Sequence, residues 1–131
     1  DADGCDAARI AAEIFSDIAQ RQPVLLLDLH EAHEASDNGA DALGNSLICD
    51  ASGETGELIW EMLLASENGT LCASPLTLYG SPSRGSINRT VTEQLEIPAI
   101  TVETLRTEPL AQRVRNHLEI VKYVLQYENM L

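Results

Sequence analysis

Apolar residues along this chain alternate between helix-spaced stripes and short unbroken runs, and the sharpest feature is a run that ends in ionisable groups. Pro23-Val24-Leu25-Leu26-Leu27 continues into Asp28-Leu29-His30-Glu31-Ala32-His33-Glu34, so two histidines and three carboxylates close a continuous apolar segment. Successive apolar residues opened by a proline predict a short strand buried on both faces of a parallel sheet. Upstream, Ala7, Ala8, Ile10, Ala11, Ile14, Phe15 and Ile18 have the three-and-four spacing of an amphipathic helix over about Asp6 to Gln20, which Asp3 or Asp6 can cap. Helix, tight turn at Arg21-Gln22-Pro23, then strand is half of a βαβ unit, so its preceding strand is expected upstream of Asp1.

The remaining pattern continues the alternation. Ala35 to Gly44 is Ser, Asp, Asn and Gly and predicts a loop over the carboxyl end of the first strand. Ser46-Leu47-Ile48-Cys49 predicts a second strand, Thr55 to Ser66 a helix carrying Leu58, Ile59, Met62 and Leu63, and Thr70-Leu71-Cys72-Ala73 another short strand. Glycine, proline and serine over Gly80 to Ser86 predict a mobile loop, followed by a short helix from Ile87 to Leu95. Ile97-Pro98-Ala99-Ile100-Thr101-Val102 repeats the first motif: a buried strand ending in an acid, here Glu103. Thr107 can cap a closing helix with Pro109 in its first turn. Leu110, Val114, Leu118, Val121 and Leu125 then predict an apolar stripe laid on one sheet face. The fold class this implies is α/β, a three-layer α/β/α arrangement with a mainly parallel or mixed central sheet in one domain over residues 1–131, expected to be incomplete within this chain.

Composition narrows the function. At 131 residues and 44% hydrophobic content the chain can bury one core. No segment has the roughly 18 consecutive apolar residues of a membrane span, and no signal-like n-region precedes an apolar stretch, so the expectation is a cytoplasmic protein. The formal charge is −13, with 15 of 21 acids among residues 1–69 beside only Arg9 and Arg21. Such a surface argues against nucleic acid and anionic membrane as partners. One lysine, Lys122, stands beside seven arginines. This imbalance resembles proteins that work in molar salt, where a Debye length of about 3 Å makes self-repulsion cheap. Cys5, Cys49 and Cys72 lack CxxC spacing and read as reduced thiols.

Two strands that each end in an ionisable residue bring a histidine and a glutamate toward one crevice, since ligand sites in open α/β sheets lie at the carboxyl ends of the strands. A metal with an activated water uses that pair economically: neutral imidazole ligates zinc, and a free carboxylate takes the proton. Catalytic zinc takes three protein ligands, and here His30 has at best Glu31, His33 or Glu34 nearby. His30-Glu31-Ala32-His33-Glu34 is one residue short of the HExxH spacing, so that metalloprotease motif is rejected.

Leu27-Asp28-Leu29-His30-Glu31-Ala32, followed some seventy residues later by Pro98-Ala99-Ile100-Thr101-Val102-Glu103-Thr104, resembles the C-terminal half of the zinc carboxypeptidase superfamily, and more closely its succinylglutamate desuccinylase and aspartoacylase-like deacylase branch. The likeness covers roughly Ala7 to Leu125. The resemblance implies that His30 is the third zinc ligand and that Glu103 is the general base of a zinc-dependent amide hydrolase acting on a small acylated amino acid or peptide. Asp28 would hold His30 or a neighbouring backbone group, or else be a buried, hydrogen-bonded structural acid. Glu31, Arg84 and Arg89 would stand in the vicinity of the substrate, His33 and Glu34 at the rim, and His117 on the surface of the closing helix.

The family's His-x-x-Glu ligands and its Asn-Arg substrate pair precede the histidine motif and are not found before His30, while Asn88-Arg89 comes after it and reads as a helix-surface pair. The resemblance therefore implies a fragment inactive alone, with open sheet edges that pair with a missing N-terminal part or with a second copy. The alternative is a non-catalytic α/β module that keeps the scaffold and binds a small ligand or partner without a complete metal site.

Overall fold

A computed structural model describes residues 6–33 and 43–131. Eight elements follow in order: α1 (Asp6–Arg21), β1 (Leu26–Ala32), β2 (Ser46–Ile48), α2 (Gly53–Glu67), β3 (Thr77–Tyr79), α3 (Ile87–Leu95), β4 (Ala99–Leu105) and α4 (Leu110–Tyr127). The four strands form one mixed sheet in the order β1-β4-β2-β3. β1 runs parallel to β4, β2 parallel to β3, and β2 antiparallel to β4. The α/β class expected from the sequence is the one observed. The predicted loop over 35–44 lies mostly outside the described residues, as do Asp3, Cys5 and Glu34.

Strand alternation sorts the core into two compartments. Leu25, Leu27, Leu47, Ile100 and Val102 enter the larger one, with Leu58, Ile59 and Met62 of α2 and Ile120 and Val124 of α4. Leu26 enters the smaller one on the opposite face, with Phe15 and Ile18 of α1 and Val91 and Leu95 of α3. Helices α2 and α4 therefore cover one face and α1 and α3 the other, a three-layer arrangement. The face toward α3 becomes polar as β1 and β4 proceed: Leu26 gives way to Asp28 and His30, and Ala99 to Thr101 and Glu103.

Several expectations are corrected. The segment Thr70–Ala73 is a run of bends, not a strand; Leu71 and Cys72 are buried there, with Cys72 at φ 62° and its amide donating to Glu119 Oε2 at 2.9 Å. The short strand lies further on, at Thr77–Tyr79. β1 begins at Leu26, later than expected, and runs on through His30 and Glu31. Instead of being buried on both faces, β1 is half-buried and sits at the sheet's edge, where β4 is its one strand neighbour among the described residues.

The closing helix is rotated from its predicted setting. Asn116, Ile120 and Val124 are buried, while Leu110, Val114 and Leu118 are exposed. Pro109, not Thr107, occupies the position before the first helical residue, and its carbonyl accepts from the amides of Gln112 and Arg113.

Candidate functional site

His30 of β1 and Glu103 of β4 are partners in the parallel register. Neighbouring strands lie about 4.8 Å apart and paired residues face the same side, so the two side chains emerge together on the α3 face. Asp28, one alternation before His30, shares that face, and its Oδ1 lies 2.9 Å from His30 Nε2. A carboxylate accepts only, so Nε2 is the donor of this contact, and in the neutral ring Nδ1 is the nitrogen that can accept an incoming cation or donor. The His30 side chain is 52% exposed and reachable.

Glu103 is in a different environment, 7% exposed, with Oε2 buried and lacking a hydrogen-bond partner among the described residues. Burial pushes its carboxyl above the ordinary carboxylate value, and Asp28 adds to the rise while His30 and His33 pull against it. A carboxyl so placed holds a proton more readily than a surface acid, the property of a group that must accept and return one. Ser46 is its partner across the antiparallel register with β2, and the Ser46 hydroxyl is likewise buried and unpartnered.

Asn88 supports this face from α3. It is 1% exposed, and its Nδ2 donates to the Ile48 carbonyl at 2.8 Å and to Thr101 Oγ1 at 3.0 Å. Three elements are thereby joined two residues before Glu103. The expectation of an Asn-Arg surface pair is corrected for Asn88, which is a core residue. Its signal in the sequence is its position in the Asn88, Val91, Leu95 stripe, the i, i+3, i+7 spacing of the inward face of α3.

Arg89 stays partly exposed; its Nε donates to Glu93 Oε1 at 2.7 Å and its Nη1 to the Pro82 carbonyl at 3.5 Å. It borders a cavity of about 310 Å³ that Asp50, Ser81, Asn88 and Glu93 also line. Arg84 lies exposed in the turn before α3. His33 is exposed just beyond β1.

Glu31 points to the opposite face of β1, where it pairs with Arg113 of α4. His117 is there too and is no surface residue: its Nε2 lies 3.0 Å from Thr104 Oγ1, and its Nδ1 is buried. Burial pushes the His117 pKa down, partly offset by the His30 carbonyl it faces.

No family model and no curated protein matches this chain. Among solved structures it is similar to the tripeptide-bound cell shape determinant Csd4 of Helicobacter pylori, at 21% identity and a TM-score of 0.77 over 100% of this chain and 36% of that one. This chain has the Csd4 fold. The mDAP-bound form of Csd4, a D,L-carboxypeptidase, is matched at 21% identity and a TM-score of 0.66, over 92% of this chain and 34% of that one. Apo Csd4 is matched at 21% identity and a TM-score of 0.64. The chain thus spans about a third of the length of the Csd4 structures it resembles. The expected carboxypeptidase-like architecture agrees with this fold.

No group of three or more His, Cys, Asp or Glu able to hold a metal occurs among the described residues. Catalytic zinc takes three protein ligands. The chemistry of His30, a half-exposed imidazole with a carboxylate fixing its tautomer, fits one donor of such a site, and the described residues do not make a whole one.

Proposed function

We propose that this chain carries the general base and one metal donor of a carboxypeptidase-like amide hydrolase acting on short peptides. The observation that carries the reading is the register pairing of His30, its ring held by Asp28, with the buried Glu103 carboxyl. His30 Nδ1 would be one donor to zinc, with the other donors supplied by residues beyond those described. When bound, zinc polarises the scissile carbonyl and lowers the pKa of water to about 7. Glu103 takes the proton of the attacking water and returns it to the leaving nitrogen, and its raised pKa lets it hold that proton between the two transfers. Asp28 holds the imidazole in orientation through its contact with Nε2.

A peptide substrate is supported by the tripeptide-bound and mDAP-bound forms of Csd4 that share the fold. An acylated amino acid, the substrate of the deacylase branch, uses the same chemistry and is the competing substrate class. Incubating the full-length protein with zinc and panels of short peptides and N-acylated amino acids, alongside Glu103→Gln, tests the proposal. Peptide hydrolysis that falls about a hundredfold to ten-thousandfold in the variant supports it. Hydrolysis undiminished in Glu103→Gln, or confined to acylated amino acids, refutes the assignment of base or of substrate respectively.

The non-catalytic alternative draws on the absence of a three-donor group among the described residues. It predicts no hydrolysis of either panel and retained ligand binding in Glu103→Gln.

A further inference from the structure

β1 carries His30, and among the described residues β4 is its one strand neighbour. Leu26 donates its amide to the Pro98 carbonyl, and the Ala32 carbonyl accepts from the Arg106 amide. Backbone groups of the even-numbered residues therefore face β4, and those of Leu27, Leu29 and Glu31 face away from it. The exposed Leu29 adds little packing to the carboxyl half of this strand, where a further hold comes from the face opposite the site.

Helix α4 supplies it from behind the sheet. Arg113 and His117 are one turn apart and lie on the same side of the helix. Arg113 pairs with Glu31, and its Nε is also fixed by the Glu108 carbonyl at 3.1 Å, so the guanidinium is anchored at both ends. His117 Nε2 meets Thr104 Oγ1 at 3.0 Å, and that hydroxyl lies 3.5 Å from the His30 carbonyl. Glu31 and Thr104 are themselves register partners, the pair next after His30 and Glu103. Both contacts thus land on the backbone or the adjoining side chain of the two site residues, from the face opposite the site.

We infer that Arg113 and His117 form a clamp on α4 that fixes strand β1 beneath His30, making both of them positioning residues for the His30–Glu103 pair. Neither touches the α3 face, so neither contacts what binds there. The importance of the clamp for catalysis rests on the hydrolase reading; its existence does not.

The test uses the full-length protein without metal or substrate, so it decides the clamp whatever becomes of the hydrolase assignment. Amide hydrogen exchange of Asp28, His30 and Ala32 and the ring-nitrogen chemical shifts of His30 are measured in Arg113→Met, His117→Phe and His117→Gln. Ile120→Val, a core change on the same helix, is the comparison for general loosening. The expected result is exchange faster by about tenfold at the β1 amides in the Met and Phe variants, the scale of one lost hydrogen bond. The His30 ring shifts should move toward mixed tautomers at the same time, and His117→Gln, which keeps a donor near the Nε2 position, should restore both. Exchange at β1 unchanged in Arg113→Met and His117→Phe overturns the inference. So does a speed-up spread equally over β2 and α2, as Ile120→Val produces.

Discussion

His30 and Glu103 lie side by side on neighbouring parallel strands, one half-exposed and the other buried. A single sheet face thereby offers a reachable imidazole next to a carboxyl whose charged form is disfavoured. Asp28 supports the first group and, by its charge, raises the second, so one side chain serves both.

This arrangement has a stability cost that pH should reveal. Burial raises the Glu103 carboxyl, so the folded chain keeps that proton over a range where the unfolded chain has released it. The contribution is full below the ordinary carboxylate value and is lost as pH rises through the raised one. Glu103→Gln, which needs no ionisation, should melt higher than the wild type at about pH 7 and lose that advantage toward about pH 4. A melting difference independent of pH would contradict this environment for Glu103.

Asp28→Asn keeps the size of the side chain but removes its charge, leaving an amide that can accept weakly or donate to His30 Nε2. If His30 ligates a metal, affinity in the full-length protein should fall about 10- to 100-fold, the usual cost of losing a ligand's outer partner. Chelator competition measures it, and unchanged affinity would show that the Asp28–His30 contact does not tune a ligand.

Asn88→Ala should destabilise the fold, since it leaves the part-buried Ile48 carbonyl and the buried Thr101 hydroxyl without the amide they share. The expected loss is about 1–3 kcal/mol by denaturant unfolding. Arg89→Ala, which removes an exposed pair with Glu93, should change stability by less than about 1 kcal/mol.

We propose that the charge balance adapts the chain to high salt, from 21 acids beside a single lysine. The melting temperature should then climb steeply between low and molar salt as self-repulsion is screened. A melting temperature indifferent to salt would remove this proposal.

β4 was legible in the sequence because Ala99 to Val102 is buried on both faces, as an unbroken apolar run requires. β1 has a similar run, since Leu25 and Leu27 enter one core compartment and Leu26 the other, but among the described residues it has β4 alone beside it, which apolar residues do not record. The stripe Leu110, Val114, Leu118 misled because the inward side of α4 is partly polar. Arg113, Asn116 and His117 face inward as hydrogen-bonding partners of the strands and of the turn after α2. Helical spacing that counts only apolar positions does not detect such a face. The His30–Glu103 pairing could be anticipated from two strands ending alike, whereas the roles of Asn88, Arg113 and His117 depend on contacts made across dozens of residues.

The central claim, that His30 is a metal donor beside a catalytic Glu103, is tested most directly by elemental analysis of the full-length protein and of its His30→Ala variant. The account predicts about one zinc per chain in the first and a large loss in the second. Full-length protein that takes up no metal, or a variant that keeps it all, would contradict the account.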